Sequence, residues 1–282
     1  MRPPLLPRFA CYNGRDRRHT RDVGCPIGGI AVSPRVTLSP RDFDAVIFDM
    51  DGVVTKTAVV HEAAWKQLFD GFLQQRAARD GTPYVPFTSD DYRRYVDGMP
   101  RYDGVTRFLA SRGVTLPYGD PNDPPERETV CGLGNRKDEH FLRHIRERGV
   151  EAYPSTVALI RDLRARGLKT AIFSASKNCD AILRAANVGD LFDAKVDGIV
   201  AAELGLPGKP DPATLTEAAR RVGATPERAA VVEDAIAGVQ AGRAGGFRLV
   251  IGVNRALAAG ALLTSGATVE VSDLSEVAVE DA

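Results

Sequence analysis

The stretch Phe48-Asp49-Met50-Asp51-Gly52-Val53-Val54-Thr55 begins at the last residue of an apolar run, Ala45 to Phe48. The run is short enough to form a buried strand, and Gly52 allows the backbone to turn sharply behind it. Side chains just past the end of a parallel strand reach the ligand crevice of the sheet. Asp49 and Asp51 are therefore predicted to lie together there, where a divalent cation would offset their like charges. The alternative is that Asp49 caps the next helix and Asp51 is a turn residue.

The composition limits the class of protein. The 282 residues are enough to bury the core of one or two domains. Lys and Arg together number 37, as do Asp and Glu, which argues against a general nucleic-acid binder. No apolar run reaches the length of a membrane span, and the four cysteines form no Cys-x-x-Cys pair. We therefore expect a reduced, cytoplasmic protein without nucleic-acid or membrane partners.

Residues 1–40 differ from the rest of the chain, because they carry several arginines and prolines and show no sustained periodicity. They lack the long apolar segment of a secretory signal. An Arg-rich, acid-poor leader is compatible with a transit peptide or a nucleic-acid-binding arm. We instead expect a disordered extension, or a start codon assigned too far upstream.

Strand and helix patterns alternate from residue 150 to the end of the chain. The amphipathic segment 155–166 ends at Gly167, which suits the C-cap of a helix. Such alternation indicates crossover units on a parallel sheet, to which the strand before Asp49 also belongs. The predicted strands are 168–173, 229–232, 248–253 and 268–271, and the predicted helices are 178–186, 212–222, 235–244 and 257–263.

The segment between the first strand and Gly149 shows helical periodicity instead. His61, Trp65, Leu68 and Phe72 fall on one face of a helix predicted over 59–79. Further helices are predicted over 90–96, 101–112 and 135–148, with a loop rich in Pro, Gly and Asp at 117–128.

These patterns together predict an α/β fold. Its core is a Rossmann-like parallel sheet made of residues 41–57 and 150–282, and an inserted α-helical cap domain occupies residues 58–149.

Three further loops follow predicted strands and carry polar groups. Ser174 precedes a predicted helix, so its hydroxyl and the helix N–H groups would bind phosphate, unless Ser174 is an ordinary N-cap. Lys209 lies in the proline-rich loop 208–212, where it is either a fixed positive charge or a solvated surface lysine. Glu233 and Asp234 end a strand, where they would either bind a metal or cap a helix. With the two carboxylates after the first strand, these groups suit phosphoryl transfer.

These four motifs resemble those of the haloacid dehalogenase superfamily of phosphotransferases, in order and in spacing, from about residue 42 to the end. Within that superfamily the chain most resembles the β-phosphoglucomutase group, whose cap domain sits where this chain has its helical insert. The residues that carry this closer resemblance are Asp49-Met50-Asp51-Gly52-Val53-Val54-Thr55, Thr57, His61, Trp65-Lys66 and Ser174-Ala175-Ser176-Lys177-Asn178.

The resemblance implies a role for each carboxylate. Asp49 would be the nucleophile that becomes an aspartyl phosphate, and Asp51 would be the general acid and base. Mg²⁺ would bind the Asp49 carboxylate, the Asp51 backbone carbonyl and Asp234, with Glu233 as a further ligand or directly behind the ligands.

The resemblance also implies two phosphate sites. Ser174, Ala175 and Lys209 would hold the phosphoryl group that is transferred. In the cap, the segment 98–101 lies where the mutases place a phosphate-gripping arginine. A second phosphate, which is not transferred, would be held by Arg101, Ser176, Lys177 and Asn178. A phosphatase needs only the first site, whereas a mutase needs both.

The cap is expected to contribute the sugar side of the cleft. His61, Trp65 and Lys137 would line it, although Trp65 could equally belong to the core of the cap, and Thr57 would act as a hinge. The chain departs from the group at Lys56, where an acid is common, at Ala235, where a serine is usual, and in the long loop 117–128. These departures bear on the substrate rather than on the catalytic groups.

The resemblance leaves three hypotheses open for a protein expected to act as a monomer. The first is a magnesium-dependent mutase that converts β-D-glucose 1-phosphate to D-glucose 6-phosphate. The second is a sugar-phosphate phosphatase with water as the acceptor, and the third is an inactive sugar-phosphate sensor. A dinucleotide-binding dehydrogenase fits poorly, because Lys137 takes the place of the third glycine after Gly132 and Gly134. A serine hydrolase also fits poorly, since Ser174 lacks the Gly-x-Ser-x-Gly context.

Overall fold

A computed structural model describes residues 36–255 and 257–282 of the chain. No helix within these residues has both the length and the apolar character needed to cross a bilayer. The strands are β1 (Val36–Leu38), β2 (Ala45–Asp49), β3 (Lys169–Phe173), β4 (Ala194–Val196), β5 (Ala229–Glu233), β6 (Leu249–Val253), β7 (Val269–Val271) and β8 (Val277–Val279). The helices are α1 (Ala58–Asp80), α2 (Ser89–Asp91), which continues as a π-helical turn (Tyr92–Val96), α3 (Arg101–Ser111), α4 (Val130–Arg148), α5 (Pro154–Ala165), α6 (Cys179–Ala185), α7 (Gly198–Glu203), α8 (Ala213–Arg221), α9 (Ile236–Ala244) and α10 (Ala261–Thr264).

Six of the strands form one parallel sheet in the order β4-β3-β2-β5-β6-β7. The strand β2 lies between β3, where Asp49 pairs with Phe173, and β5, where Phe48 pairs with Val232. The carboxyl ends of β3, β2 and β5 therefore lie side by side at one edge of the sheet. Asp49, Ser174 and Glu233 lie at this edge, as predicted from the sequence. This arrangement confirms the predicted α/β fold with a parallel sheet.

Both faces of the sheet are covered, which explains why all five residues of β2 are buried and the first four are apolar. Val46 and Phe48 point into a cluster with α5 and α6, on one face of the sheet. Ala45 and Ile47 point the other way, into a second cluster with α8 and α9. Alternate side chains of a strand point to opposite faces. A one-residue shift of β2 would therefore exchange the side chains that face the two clusters and would misplace Asp49.

The helices between β2 and α5 bury a hydrophobic cluster of their own. Trp65, Leu68 and Phe72 of the predicted helical face belong to it, whereas His61 at the start of the same face lies toward the sheet. Phe69 is the centre of an aromatic group, with ring centroids 4.1 Å from Phe108, 5.2 Å from Phe87 and 5.2 Å from Trp65. The division into core and cap remains a prediction that this separate cluster supports.

Two connections join the helical segment to the sheet, and they run side by side. Thr55 and Ala152 form an antiparallel bridge, and the Lys56 amide donates to the Glu151 carbonyl at 2.8 Å. The Lys56 ammonium also lies 2.7 Å from the Glu151 carboxylate. Both side chains are largely exposed, so this ion pair at the unusual Lys56 contributes little stability.

Several predicted boundaries were wrong. The strand β1 pairs with β8 and lies within residues 1–40, which were predicted to be a disordered extension. Residues 1–35 lie outside the described part, so the prediction stays untested for them. The helix predicted over 135–148 begins earlier, at Val130, because the Thr129 hydroxyl caps it by accepting from the Gly132 amide at 3.0 Å. The strands β4 and β8 and the helix α7 were not predicted, since such short elements show little periodicity.

We predict that Phe69→Ala lowers the free energy of unfolding by about 3–5 kcal/mol, because it leaves a cavity at the centre of a buried aromatic cluster. Urea unfolding followed by circular dichroism measures this loss. The matched control is Val59→Ala on the same helix, whose side chain is 69% exposed, and it should change the stability by less than about 1 kcal/mol. Equal effects of the two substitutions would contradict the assigned packing.

Candidate functional site

A cavity of about 460 Å³ lies between the carboxyl edge of the sheet and the helical segment. It brings together all of the residues predicted for the site except Thr57 and Asn178. The sheet contributes the loops after β2, β3 and β5, and the helical segment contributes α1, α3 and α4. A cavity of this size is typical of small-molecule sites.

Three carboxylates meet at the sheet side of the cavity. Asp49 ends β2, Glu233 ends β5, and Asp234 follows it; each offers an oxygen within 4.8 Å of the others. The backbone approaches them closely at two glycines. A Cβ atom at Gly52 would lie 1.8 Å from an Asp234 oxygen, and one at Gly238 would lie 1.8 Å from a Glu233 oxygen.

Burial makes this carboxylate cluster electrostatically costly. Burial and the nearby Glu233 charge raise the pKa of Asp49 well above its usual value, although Lys209 opposes the shift. Burial and the Asp97 carboxylate raise the pKa of Asp234 in the same way. Oxygen ligands with excess negative charge are the donor set of a hard divalent cation, so these three residues could hold a metal ion.

Lys209 is buried between two of these carboxylates. Its ammonium lies 2.5 Å from an Asp49 oxygen and 2.8 Å from a Glu233 oxygen, and only 4% of the residue is exposed. Burial alone would lower the pKa of Lys209, but Asp49 and Glu233 outweigh it and raise that pKa. Lys209 is therefore a fixed positive charge and not a solvated surface lysine.

The Asp51 side chain turns away from the three carboxylates. It accepts a hydrogen bond from the Thr57 hydroxyl, and its Oδ1 atom lies 3.3 Å from His61 Nε2. Burial favours a higher pKa for Asp51, but His61, Thr57 and Lys137 outweigh it and lower the pKa. Asp51 thus joins the predicted metal set at most through its backbone, and Thr57 reaches the site only through Asp51.

The buried Lys137 pairs with the partly buried His61 on the helical side. Lys137 Nζ lies 2.5 Å from His61 Nδ1 and 5.2 Å from the centroid of the Trp65 ring. The His61 ring stacks on Phe141 at 4.0 Å. Burial and the charge of Arg101 lower the pKa of Lys137 to about 7, and burial together with Lys137 lowers the pKa of His61. Trp65 lines the cavity and also packs in the hydrophobic cluster of the helical segment. The two roles expected for it, in the cleft and in the core, therefore do not exclude each other.

The loop after β3 is held by its own hydroxyls. Ser174 Oγ accepts from the Ser176 amide at 3.1 Å, and Ser176 Oγ accepts from the Asn178 amide at 3.1 Å. Asn178, rather than Ser174, immediately precedes α6, so the alternative in which Ser174 caps this helix is wrong. Ser174, Ala175, Ser176 and Lys177 all line the cavity.

A carboxylate that sequence reasoning missed, Asp138, lies behind the far end of the cavity and contacts Arg101 there. An Arg101 nitrogen lies 2.8 Å from Asp138 Oδ1, and the Asn178 side-chain amide donates to the same oxygen at 2.7 Å. Asn178 therefore contacts Asp138 and does not line the cavity, unlike Arg101. The position of Asp138 directly after Lys137 was the available signal.

Other missed residues belong to the segment between the π-helical turn and α3. Asp97 lines the cavity, and burial raises its pKa to about 6 although a hydrogen bond from Tyr92 opposes the shift. The same segment packs on the sheet side, where a Cβ atom at Gly208 would lie 2.4 Å from Pro100. Tyr118 and Pro121 of the long loop 117–128 also line the cavity. The signal for Asp97 was its place beside the quoted segment 98–101.

Comparison with known proteins gives consistent matches. A family model described as haloacid dehalogenase-like hydrolase matches residues 43–246. The chain is 42% identical over 250 residues to the beta-phosphoglucomutase of Mycobacterium bovis, which covers 87% of this chain and 95% of the relative. It is also 42% identical over 255 residues to an uncharacterized glycosyl hydrolase of Mycobacterium tuberculosis, but spans only 19% of that longer protein. The solved structure of beta-phosphoglucomutase from Clostridium difficile shares the fold, with a TM-score of 0.66, 22% identity and coverage of 83% of this chain and 92% of that one.

We predict a pH-dependent stability difference between the wild-type protein and Lys137→Met. The unfolded chain keeps the ordinary lysine pKa of 10.5, whereas the pKa in the folded protein is about 7. Between these values the unfolded chain binds more protons, so the wild-type free energy of unfolding rises with pH and that of the variant lacks this term. Between pH 6.5 and pH 9 the free energy of unfolding of the wild type should therefore rise by about 1–3 kcal/mol relative to that of the variant.

Urea unfolding at the two pH values measures this gain. The same substitution at Lys169, whose side chain is 56% exposed, is the matched control. A difference between wild type and Lys137→Met that does not change with pH would show that Lys137 keeps its proton in the folded protein.

Proposed function

Because the chain belongs to the haloacid dehalogenase-like hydrolases, we propose that its cavity catalyses phosphoryl transfer on sugar phosphates through an aspartyl phosphate. The observation that carries the proposal is the placement of Asp49 and Asp51. Asp49 lies against the fixed charge of Lys209, and Asp51 lies two residues further on with separate hydrogen-bond partners. One carboxylate is thus arranged to attack a phosphorus atom and the other to handle a proton.

The first half-reaction would form a bond between an Asp49 oxygen and phosphorus. The bond from phosphorus to the sugar oxygen breaks, and that oxygen takes a proton from Asp51. In the second half-reaction a hydroxyl of the acceptor gives its proton to Asp51 and attacks phosphorus, which releases Asp49. His61 and Thr57, which contact Asp51, would keep its carboxylate oriented in both steps.

Electrostatic stabilisation would come from groups already fixed around the reacting phosphoryl. Lys209 and the hydroxyl and amides of the loop that starts at Ser174 would offset its charge. Asp49, Glu233, Asp234 and the Asp51 carbonyl would hold Mg²⁺, which suits this oxygen donor set. Such an ion, when bound, offsets the negative charge of the phosphoryl oxygens.

We further propose that the reaction is that of a β-phosphoglucomutase, from β-D-glucose 1-phosphate to D-glucose 6-phosphate with the bisphosphate as intermediate. The 42% identity to a mycobacterial beta-phosphoglucomutase supports this assignment. The cavity also offers a second cationic end, at Arg101 and Lys177, which would bind the phosphate that is not transferred. The helical segment would exclude water so that a sugar hydroxyl is the acceptor.

A sugar-phosphate phosphatase is the second candidate. The matching family model is one of hydrolases, and Arg101 is partly neutralised by Asp138. With water as acceptor the same Asp49 and Asp51 chemistry would release free phosphate. An inactive sensor is less well supported, because both carboxylates are present and line the cavity.

The first test mixes purified protein, Mg²⁺, β-glucose 1-phosphate and a trace of glucose 1,6-bisphosphate, and follows glucose 6-phosphate and free phosphate in parallel. We expect rapid formation of glucose 6-phosphate with little free phosphate, and loss of at least about a thousandfold in rate with Asp49→Ala. Free phosphate as the main product would favour the phosphatase. The absence of both products would contradict an enzymatic role.

A second test separates the two phosphate sites. Arg101→Met should lower the kcat/KM for glucose 6-phosphate formation roughly 10- to 100-fold, because a charge-assisted contact to the second phosphate is lost. Release of free phosphate should fall much less, so the product ratio shifts toward phosphate. The same substitution at the exposed Arg146 on α4 is the control. An equal loss of both products would mean that Arg101 serves the transferred group.

A further inference from the structure

We propose that Asp138 is a positioning residue that assembles the second phosphate site by tying its two halves together. The inference rests on the proposed function, since it concerns the end of the cavity opposite Asp49. Asp138 itself does not line the cavity. It acts through Arg101 and Asn178, which come from different parts of the fold.

One carboxylate oxygen makes the connection. Asp138 Oδ1 lies 2.8 Å from an Arg101 nitrogen and accepts a hydrogen bond from the Asn178 side chain at 2.7 Å. Arg101 begins α3 and Asp138 lies in α4, both in the helical segment, whereas Asn178 immediately precedes α6 of the sheet core. The oxygen therefore links the helical segment to the sheet core at the far end of the cavity.

The link fixes two sets of groups relative to each other. On the helical side the Arg101 guanidinium is further held by Asn135, whose Oδ1 lies 3.4 Å from Nη1. On the sheet side Asn178 ends the loop whose residues Ser176 and Lys177 line the cavity. A phosphate at this end would touch groups from both sides, so its affinity depends on their separation.

The partial burial of the pair makes a positioning role effective. The Arg101 and Asp138 side chains are each only 19% exposed, so their contact is less screened than a surface ion pair. Arginine has five N–H donors in a fixed fork, which leaves donors for a phosphate while one is used by Asp138. Asp138 can therefore orient the Arg101 guanidinium and still leave N–H donors for a phosphate.

The binding of a ligand with a phosphate at each end tests the proposal. The chain has a single tryptophan, Trp65, and it lines the cavity, so its fluorescence reports binding. Titrations with glucose 1,6-bisphosphate in the presence of Mg²⁺ would use protein carrying Asp49→Asn, which cannot turn the ligand over. Affinity is the chosen readout because Asp138 also raises the pKa of Lys137, which would affect turnover separately.

We expect Asp138→Ala to weaken bisphosphate binding on the order of tenfold, because both tethers are lost. Asp138→Asn keeps an acceptor oxygen at the same place and should restore affinity to within about threefold of the parent. The neighbouring Glu139→Ala, at an exposed position on the same helix, should leave affinity unchanged.

Tighter or unchanged binding by Asp138→Ala would overturn the proposal, because the carboxylate would then only compete with the phosphate or play no part. Failure of Asp138→Asn to restore affinity would also overturn it, as would a lack of bisphosphate binding by every variant. The proposed function is judged separately, by the products of the assay with β-glucose 1-phosphate.

Discussion

The repulsion among Asp49, Glu233 and Asp234 is the constraint on which the rest of the site depends. Three carboxylates share a space of a few ångströms at a buried sheet edge, where their charges are poorly screened. Lys209 offsets part of the repulsion through direct contacts with two of them, and the pKa values of Asp49 and Asp234 remain raised. A further cation at the three carboxylates would offset this repulsion, so the electrostatic cost of the cluster favours a metal ion at this place.

The parallel sheet is what makes this cluster possible. Its central strand is buried on both faces, so its position is fixed by packing on two sides and its last residue is held accurately. Neighbouring strands end at the same edge, which brings together groups that are 184 residues apart along the chain, as Asp49 and Glu233 are (49 to 233). Glycine at 52 and 238 then allows the backbone to approach the carboxylates closely.

The helical segment contributes a second set of side chains to the cavity. It is stabilised by its own aromatic cluster, and it presents His61 and Lys137 to Asp51 at one end and Arg101 to the loop after β3 at the other. The two ends differ in the way they are charged. The sheet end carries excess negative charge around Asp49, whereas at the far end Arg101 is paired with Asp138. A ligand with phosphates at both ends would meet a different balance of charges at each.

The sequence by itself determined the parallel sheet and the order of the polar loops after β2, β3 and β5. Strand runs and crossover alternation are local patterns, and parallel strands must end at one edge, so Asp49, Ser174 and Glu233 could be placed together without coordinates. Lys209 was predicted to follow a strand, but it lies in the loop between α7 and α8, so only the structure places it against Asp49. The resemblance to a known family supplied the helical-side residues. Only the tertiary structure decided that Asp51 leaves the carboxylate cluster for Thr57 and His61, and that Asn178 turns to Asp138. These choices depend on side-chain contacts between distant segments, and such contacts leave no periodicity in the sequence. The same reason explains why Asp97 and Asp138 were missed and why the short strands β1 and β8, which stabilise each other by pairing, could not be predicted from either alone.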